Sequence, residues 1–236
     1  MHLSRYLRQI QVWGVEAQET IMSSTVLVAG LGGLGSAASL YLAAAGVRKL
    51  VLVDHDVVKE SDLNRQVLHW TRDLGALKVE SAEEKLRSLN PDVNFVLYRE
   101  KLESLSRVEE LVREVDVVVD ALDNWTSRFL LNRACVNLGK PFVHAAVEGL
   151  KGWLTVIHPP HTPCLACILS NPPEKGSVPV AGPLPGILGC MQALETLKVI
   201  TGFGKTLTGR LLFFDGLEGS VEIYEVRKKV NCPACS

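Results

Sequence analysis

The chain has almost no surplus of charge of either sign: 25 Lys and Arg stand against 26 Asp and Glu, a formal net charge of −1. That balance supplies no global attraction to nucleic acid or to an anionic membrane, and the mixed signs along its helical stretches read as ordinary solvated faces. No apolar run reaches the roughly 18 to 20 residues that a bilayer span needs, because Gly, Asp or Arg interrupts each candidate. The opening stretch MHLSRYLRQIQVWG has neither a long apolar core nor a small-residue cleavage site, so no secretory leader is expected. The expected compartment is therefore the cytoplasm, where thiols stay reduced. Internal repeats and low-complexity tracts are also missing. What is present is 236 residues at 47% hydrophobic and 22% charged, enough for one sizeable core.

Runs rich in Val and Leu recur at Val26–Ala29, Leu50–Val53, Val93–Leu97, Val117–Val119 and Phe142–Val143, separated by segments of helical spacing. Such alternation predicts βαβ units around a parallel sheet with helices on both faces. Gly46, Asn90-Pro91 and Gly139 stand where three of those helices should stop. After Val147 the texture changes. GLKGWLTVIHP alternates with a period of two, a Pro- and Gly-rich stretch runs from Pro159 to Gly189, and LGCMQALETLKVITG has the spacing of a further helix. GRLLFFDGLEGSVEIYEV then reads as a hairpin turning near Gly216–Gly219. The expected architecture is one α/β domain with three regions: a helical arm over residues 1–22, a nucleotide-binding core over 23–148, and an antiparallel extension over 149–236.

The core begins with a phosphate-binding signature. Gly30, Gly32 and Gly35 give G-x-G-x-x-G after the first apolar run, and Asp54 ends the second. This Rossmann-like fingerprint suits a dinucleotide. It also suits ATP, because glycine lets backbone approach a phosphate while the following helix aims its N–H groups at the anion. The residues downstream separate the two. Asn64, Arg65 and Gln66 follow the second strand and Lys78 opens the next helix, returning two cations and an amide toward the loop. A pyrophosphate bridge is normally satisfied by loop and helix, whereas a triphosphate, with about four charges, calls for Arg and Lys clamps. Asp120 and Asp123 lie at the carboxyl end of the fourth strand, where open α/β sheets bind ligands and a carboxylate can hold Mg²⁺ against phosphates. The combination points to ATP.

Cysteine occurs as two C-x-x-C pairs, Cys164 with Cys167 and Cys232 with Cys235, plus the single residues Cys135 and Cys190. Two such pairs in turn-forming, Pro-containing contexts predict a four-cysteine zinc knuckle, structural because four protein ligands leave no open position. Cys135 sits on the apolar face of its helix and is read as an inert buried thiol. Cys190 opens the helical stretch CMQALETLKVI, where a helix N-terminus could lower its pKa, but it too is read as inert.

The ordered set RYLRQ (Arg5–Gln9), GLGGLGS (Gly30–Ser36), VDHD (Val53–Asp56), SDLNRQ (Ser61–Gln66), Lys78, DALDN (Asp120–Asn124), CLAC and CPAC resembles the ThiF/MoeB/HesA group of ubiquitin-activating adenylyltransferases over essentially the full length. The resemblance implies that Gly33 lies against the phosphates, that Asp54 takes the ribose hydroxyls, and that Asn64, Arg65 and Lys78 hold the triphosphate. Asp56, Ser61, Gln66 and Asn124 belong to the same nucleotide-binding set. It further implies that Asp123 is the magnesium ligand and that Arg8 reaches into the partner subunit's site in a homodimer. One departure stands out: the group usually has Ser-Asn where this chain has Ser61-Asp62. An ionised Asp cannot donate a hydrogen bond as an amide can, which matters only if position 62 faces the phosphates.

The reaction so implied is attack of a carboxylate on the α-phosphorus of MgATP, giving an acyl adenylate and pyrophosphate. A carboxylate with a pKa near roughly 3.5 is already ionised at neutral pH and needs no general base. His55, His69, His144, His158 and His161 are therefore given packing or surface roles. The acyl group of the family is commonly the C-terminal Gly-Gly of a ubiquitin-like sulfur-carrier protein. The Pro/Gly-rich stretch is read as a cover over that tail; it has no cysteine between Cys167 and Cys190, which implies an enzyme that stops at the adenylate. Alternative readings are adenylation of a small-molecule carboxylate, an NAD-dependent oxidoreductase, and a non-catalytic carrier-binding scaffold.

Overall fold

The computed structural model describes residues 3–169 and 178–235. Eight strands form a single sheet in the order β3-β2-β1-β4-β5-β6-β7-β8. The first five are β1 (Thr25–Ala29), β2 (Lys49–Val53), β3 (Asn94–Tyr98), β4 (Val117–Asp120) and β5 (Phe142–Glu148), and they pair in parallel. From β5 onward, through β6 (Lys151–Ile157), β7 (Arg210–Asp215) and β8 (Ser220–Glu225), every pairing is antiparallel. The direction of the sheet thus changes after β5, where the sequence texture changes. The expected third strand shifts by one residue and the fifth runs on to Glu148.

Side chains of the parallel strands alternate between two cores, which is why these strands read as continuous apolar runs. Val26, Val28, Leu50, Leu52, Val117 and Val119 join one core, which also takes residues of α2 (Gly33–Ala45), α3 (Lys78–Leu89) and α7 (Pro183–Thr201). Leu27, Ala29, Val51, Val53 and Val118 join the other, with α4 (Leu105–Arg113), α5 (Trp125–Leu138) and the short α6 (Leu165–Ile168). Burying both faces of each central strand contributes on the order of 1.5–3 kcal/mol per fully buried aliphatic side chain.

Two departures from the sequence expectation have physical causes. α7 starts at Pro183, ahead of the expected Leu188, because Pro183 and Pro185 occupy its first turn, where a missing N–H costs nothing. Gly189 then lies inside the helix: a Cβ there would meet the Leu34 carbonyl oxygen at 2.3 Å, so glycine is what lets α7 pack against α2. The N-terminal arm, α1 (Leu7–Ile21), is interrupted at Gly14, which has φ 85° and ψ 172°. From either side of this kink, Gln9 and Gln18 both donate to the Ala45 carbonyl, at 2.8 and 3.0 Å, while Asn90 donates to Ala43 at 2.7 Å. The two glutamines satisfy a carbonyl that the end of α2 leaves open, and Asn90 adds a second donor to Ala43, which already accepts the Gly46 N–H at 3.1 Å. Gly46 terminates α2 at φ 87°, and a side chain there would strike the Tyr6 ring at 2.5 Å.

Candidate nucleotide site and cysteine cluster

The carboxyl ends of β1, β2, β3 and β4 open onto one cavity of about 630 Å³. Its floor is the glycine loop. Gly30 has φ 90°, and an added Cβ would meet the Ala121 carbonyl oxygen at 2.5 Å, so only glycine lets the loops after β1 and β4 touch. Gly32 caps α2, whose first N–H groups face the cavity end. Gly32 and Gly33 line the cavity. Gly35 does not: a Cβ there would lie 1.9 Å from the Gly30 carbonyl oxygen, so this third glycine serves loop packing.

Asp54, at the tip of β2, organises the loop. Its Oδ2 accepts the Leu31 N–H at 2.7 Å and its Oδ1 accepts the Asp56 N–H at 2.8 Å. Each oxygen keeps a lone pair for a further donor, such as a ribose hydroxyl. Asp56 faces the same cavity and accepts from Lys78 Nζ at 3.2 Å. Burial works against its carboxylate, yet Lys78 holds it below the usual range.

Lys78 is the first residue of α3, and its side chain is 7% exposed. Arg65 and Gln66 come from the turn that follows the 3-10 segment Glu60–Asp62. All three line the cavity. Between them lies Asp62, a buried acid that accepts from Gln66 Nε2 at 2.9 Å, lies 3.4 Å from Arg65 and 3.7 Å from Lys78. The residue that departs from the family pattern therefore faces the cations rather than solvent. Ser61 and Asn64 are exposed and outside the lining; the Ser61 carbonyl and Asn64 Oδ1 instead accept from Arg65, at 2.8 and 3.2 Å. Asn64 also receives α7: a Cβ on Gly182 would meet its carbonyl oxygen at 2.2 Å, and Pro185 crosses directly over Gly33.

Asp123 and Asn124 line the opposite side, Asn124 doubling as the cap of α5 by accepting the Ser127 N–H at 2.8 Å. Asp123 is exposed toward the cavity. Asp120 is not part of the lining. It is fully buried, accepts from His144 Nδ1 at 2.6 Å and from the Leu122 N–H at 3.1 Å, and so shapes the loop that carries Asp123. Burial holds the His144 imidazole below its ordinary pKa despite this partner. Arg8 lies exposed on α1, outside the cavity.

Sequence reasoning missed several lining residues. Glu100, Lys101 and Leu102 follow β3, and the rule that found Asp54 and Asp123 at strand ends could have found them. Arg128 adds a fourth cation beside Arg65, Lys78 and Lys101, set over Trp125 at 4.7 Å. Trp125 and Trp153 stack nearly parallel, 6.5 Å apart, in the cavity wall. The Arg128–Trp125 pair is three residues apart on α5 and could have been read locally, whereas Trp153 comes from β6 and joins only through sheet pairing.

The four paired cysteines converge. Sγ atoms lie 4.0 Å apart for Cys164 and Cys167, 3.6 Å for Cys164 and Cys232, and 3.5 Å for Cys167 and Cys235. A tetrahedral ion with sulfur ligands at about 2.3 Å separates them by about 3.8 Å, so the set fits zinc. Burial pushes the Cys164 thiol up; at Cys232 the nearby backbone N–H groups overcome burial and draw the thiol down to about 7. Cys135 is fully buried, and burial raises its pKa too. Cys190 lies well inside α7 rather than at its start, so no helix N-terminus activates it, and burial raises its pKa. The stretch read as a cover falls partly on residues 170–177, outside the described residues. Among the described residues no helix is long and apolar enough to cross a membrane.

Comparison with known proteins is consistent across sequence and fold. Residues 6–234 match the ThiF family. The chain is 44% identical over 241 residues to the SAMP-activating enzyme E1 of Haloferax volcanii, covering 99% of this chain and 88% of that protein. It is 42% identical over 247 residues to the sulfur carrier protein adenylyltransferase of Thermus thermophilus, covering 99% and 90%. It is 40% identical to the adenylyltransferase and sulfurtransferase MOCS3-1 of Zea mays, of which it spans 51%. Among solved structures, the microcin C7 biosynthetic enzyme MccB in complex with N-formylated MccA superposes with a TM-score of 0.90 at 20% identity, over 98% of this chain and 75% of that one. That likeness speaks to the fold alone.

Proposed function

The chain belongs to the ThiF family, and from that premise we propose that it adenylates the C-terminal Gly-Gly of a ubiquitin-like sulfur-carrier protein. The observation that carries this reading is the single cavity on which the glycine loop, Arg65, Lys78 and Asp123 meet at the ends of parallel strands. The named functions of the Haloferax and Thermus relatives, which match over nearly their whole length, support the adenylation and the class of acceptor.

ATP would lie with its phosphates over the glycine loop and the start of α2, Arg65 and Lys78 taking the phosphoryl oxygens and Asp54 the ribose hydroxyls. Asp123, with Asn124 beside it at 3.5 Å, would hold Mg²⁺, which when bound neutralises phosphate charge. A carboxylate oxygen of the carrier attacks the α-phosphorus; the bond from that phosphorus to the bridging oxygen breaks, and pyrophosphate leaves. The attacking group is ionised already, so the chain's residues act by orientation and by stabilising charge on the leaving group. The four cysteines would hold Zn²⁺ as a structural ion, tying residues 232–235 to α6. Arg8 would complete the neighbouring site in a homodimer, and the absence of cysteine between Cys167 and Cys190 supports an enzyme that ends at the adenylate.

The test is pyrophosphate exchange into ATP with a purified Gly-Gly carrier. Exchange that requires the carrier is expected. Exchange driven by a small acid alone would move the substrate assignment, and saturable NADH binding without ATP binding would remove the nucleotide assignment altogether.

A further inference from the structure

We propose that His69 is a positioning residue for ATP, clamping the glycine loop to α3 and thereby setting the distance between that loop and Lys78. This rests on the ATP reading above and is independent of the carrier's identity.

Leu31, between the first two glycines, is held on both sides of its backbone. Its N–H goes to Asp54 Oδ2 at 2.7 Å, and its carbonyl meets His69 Nε2 at 3.0 Å. A carbonyl oxygen only accepts, so Nε2 must carry the proton. The neutral ring then needs a donor at Nδ1, and the Ser81 hydroxyl lies there at 2.8 Å. Burial, the largest influence on this imidazole, lowers its pKa and so favours the neutral ring. Ser81 in turn accepts from Lys85 Nζ at 3.1 Å, and Lys85 is anchored on the buried carboxylate of Asp73, which also accepts the Trp70 N–H at 2.7 Å. The Ser81 hydroxyl has one proton and two acceptors in reach, Asp73 Oδ2 at 3.1 Å and His69 Nδ1 at 2.8 Å; given to the nearer, it sets the donors in one direction, from Lys85 through Ser81 and His69 to Leu31.

Ser81 and Lys85 are residues of α3, the helix that Lys78 opens. A second route joins the same two elements: Leu31 to Asp54, Asp54 to the Asp56 N–H, and the Asp56 carbonyl to the Lys78 N–H at 3.0 Å. The two routes grip opposite polar groups of one loop residue, so the loop can neither roll nor slide relative to Lys78. His69 is 3% exposed and outside the cavity lining, so it acts through Leu31 and Ser81 rather than on a ligand.

The experiment compares His69→Gln with His69→Asn in ATP titration calorimetry and in exchange kinetics, with melting temperature measured alongside. A Gln amide nitrogen reaches the position of Nε2 and keeps the bond to Leu31; an Asn amide reaches only the position of Nδ1. The Asn variant is expected to weaken Kd and KM for ATP about tenfold and the Gln variant less than about threefold, with similar melting temperatures. Equal ATP affinity in the two variants, or losses that simply follow melting temperature, would overturn the proposal. Ser81→Ala covers the case in which the Asn variant does not fold: a loss of about threefold to fivefold is expected, and unchanged affinity refutes the clamp. Wild-type protein that fails to bind ATP would instead remove the nucleotide reading itself.

Discussion

The parallel half of the sheet and its antiparallel end are built on different terms. In the parallel half every residue of β4 is buried, and β1 and β2 are buried apart from their first residues. At the other end β8 is exposed along nearly its whole length, with Val221, Ile223 and Tyr224 at 54%, 51% and 51%. Packing from two cores backs the strands whose ends form the cavity, whereas no residue of β8 joins either core, and the C-terminal tail beyond it returns to the second core through Cys232, packed with Cys164, Leu165 and Cys167. The lesson is a division of labour: burial from two cores holds the parallel strands that carry the cavity, and the tail after β8 is held through its cysteines and the Arg133 bond to the Pro233 carbonyl, against α5 and α6.

The comparison can be broken most severely at the cavity. Asp123→Ala should take carrier-dependent exchange down by about 10³-fold, and Arg65→Ala by about 10²-fold, both with melting temperature nearly unchanged. Near-normal turnover in either would detach that residue from the chemistry. The cysteine cluster should answer in the opposite way. Cys164→Ser, or removal of metal by a chelator, should lower the melting temperature by about 10 °C, while exchange at a temperature where the protein stays folded holds up. Lost chemistry with an unshifted melting curve would reverse the assignment.

A finer probe is Asp62→Asn. Removing a negative charge 3.4 Å from Arg65 and 3.7 Å from Lys78 should lower KM for ATP by about threefold, since those cations would be left to the phosphates. A raised KM would mean that Asp62 holds the cations in place more than it competes for them. The smallest effect concerns pH. His69 and His144 both serve the parallel half, and burial lowers both pKa values below the ordinary 6.5. The unfolded chain takes up protons there before the folded one does, so stability present above 6.5 is lost as pH falls below it. Asp56 and Asp73, held low by Lys78 and Lys85 against their burial, add a separate loss only below their ordinary 3.8. Melting temperatures should therefore decline by a few degrees between about pH 7 and pH 5. A flat profile across that interval would contradict buried neutral histidines.

What was legible in the sequence follows the same division. Gly30, Asp54 and Lys78 announce themselves because each performs a local task at a strand or helix end, and local tasks leave local patterns. The paired cysteines are readable because ligand spacing is a local pattern as well. The start of α7 was hidden because Pro183 and Gly189 look like breakers until the first-turn position and the contact with Leu34 are known. Gly35 looks like a phosphate glycine, but its role is set by the Gly30 carbonyl 1.9 Å from its absent Cβ. Trp153 reaches the cavity only through sheet pairing, and the approach of Asp62 to Lys78 joins residues sixteen apart, so neither shows in a short window of sequence.

Cys164 and Cys167 lie before α7, whereas Cys232 and Cys235 lie after β8. An ion shared by the two pairs would turn the intervening chain into a closed ring, and α7 rides within that ring with Pro185 resting on Gly33. Drawing the ring shut restricts how far α7 can lift from the glycine loop. Loss of the metal would then show first on heating, as earlier parting of α7 from the glycine loop, and leave the folded cavity unchanged at lower temperature.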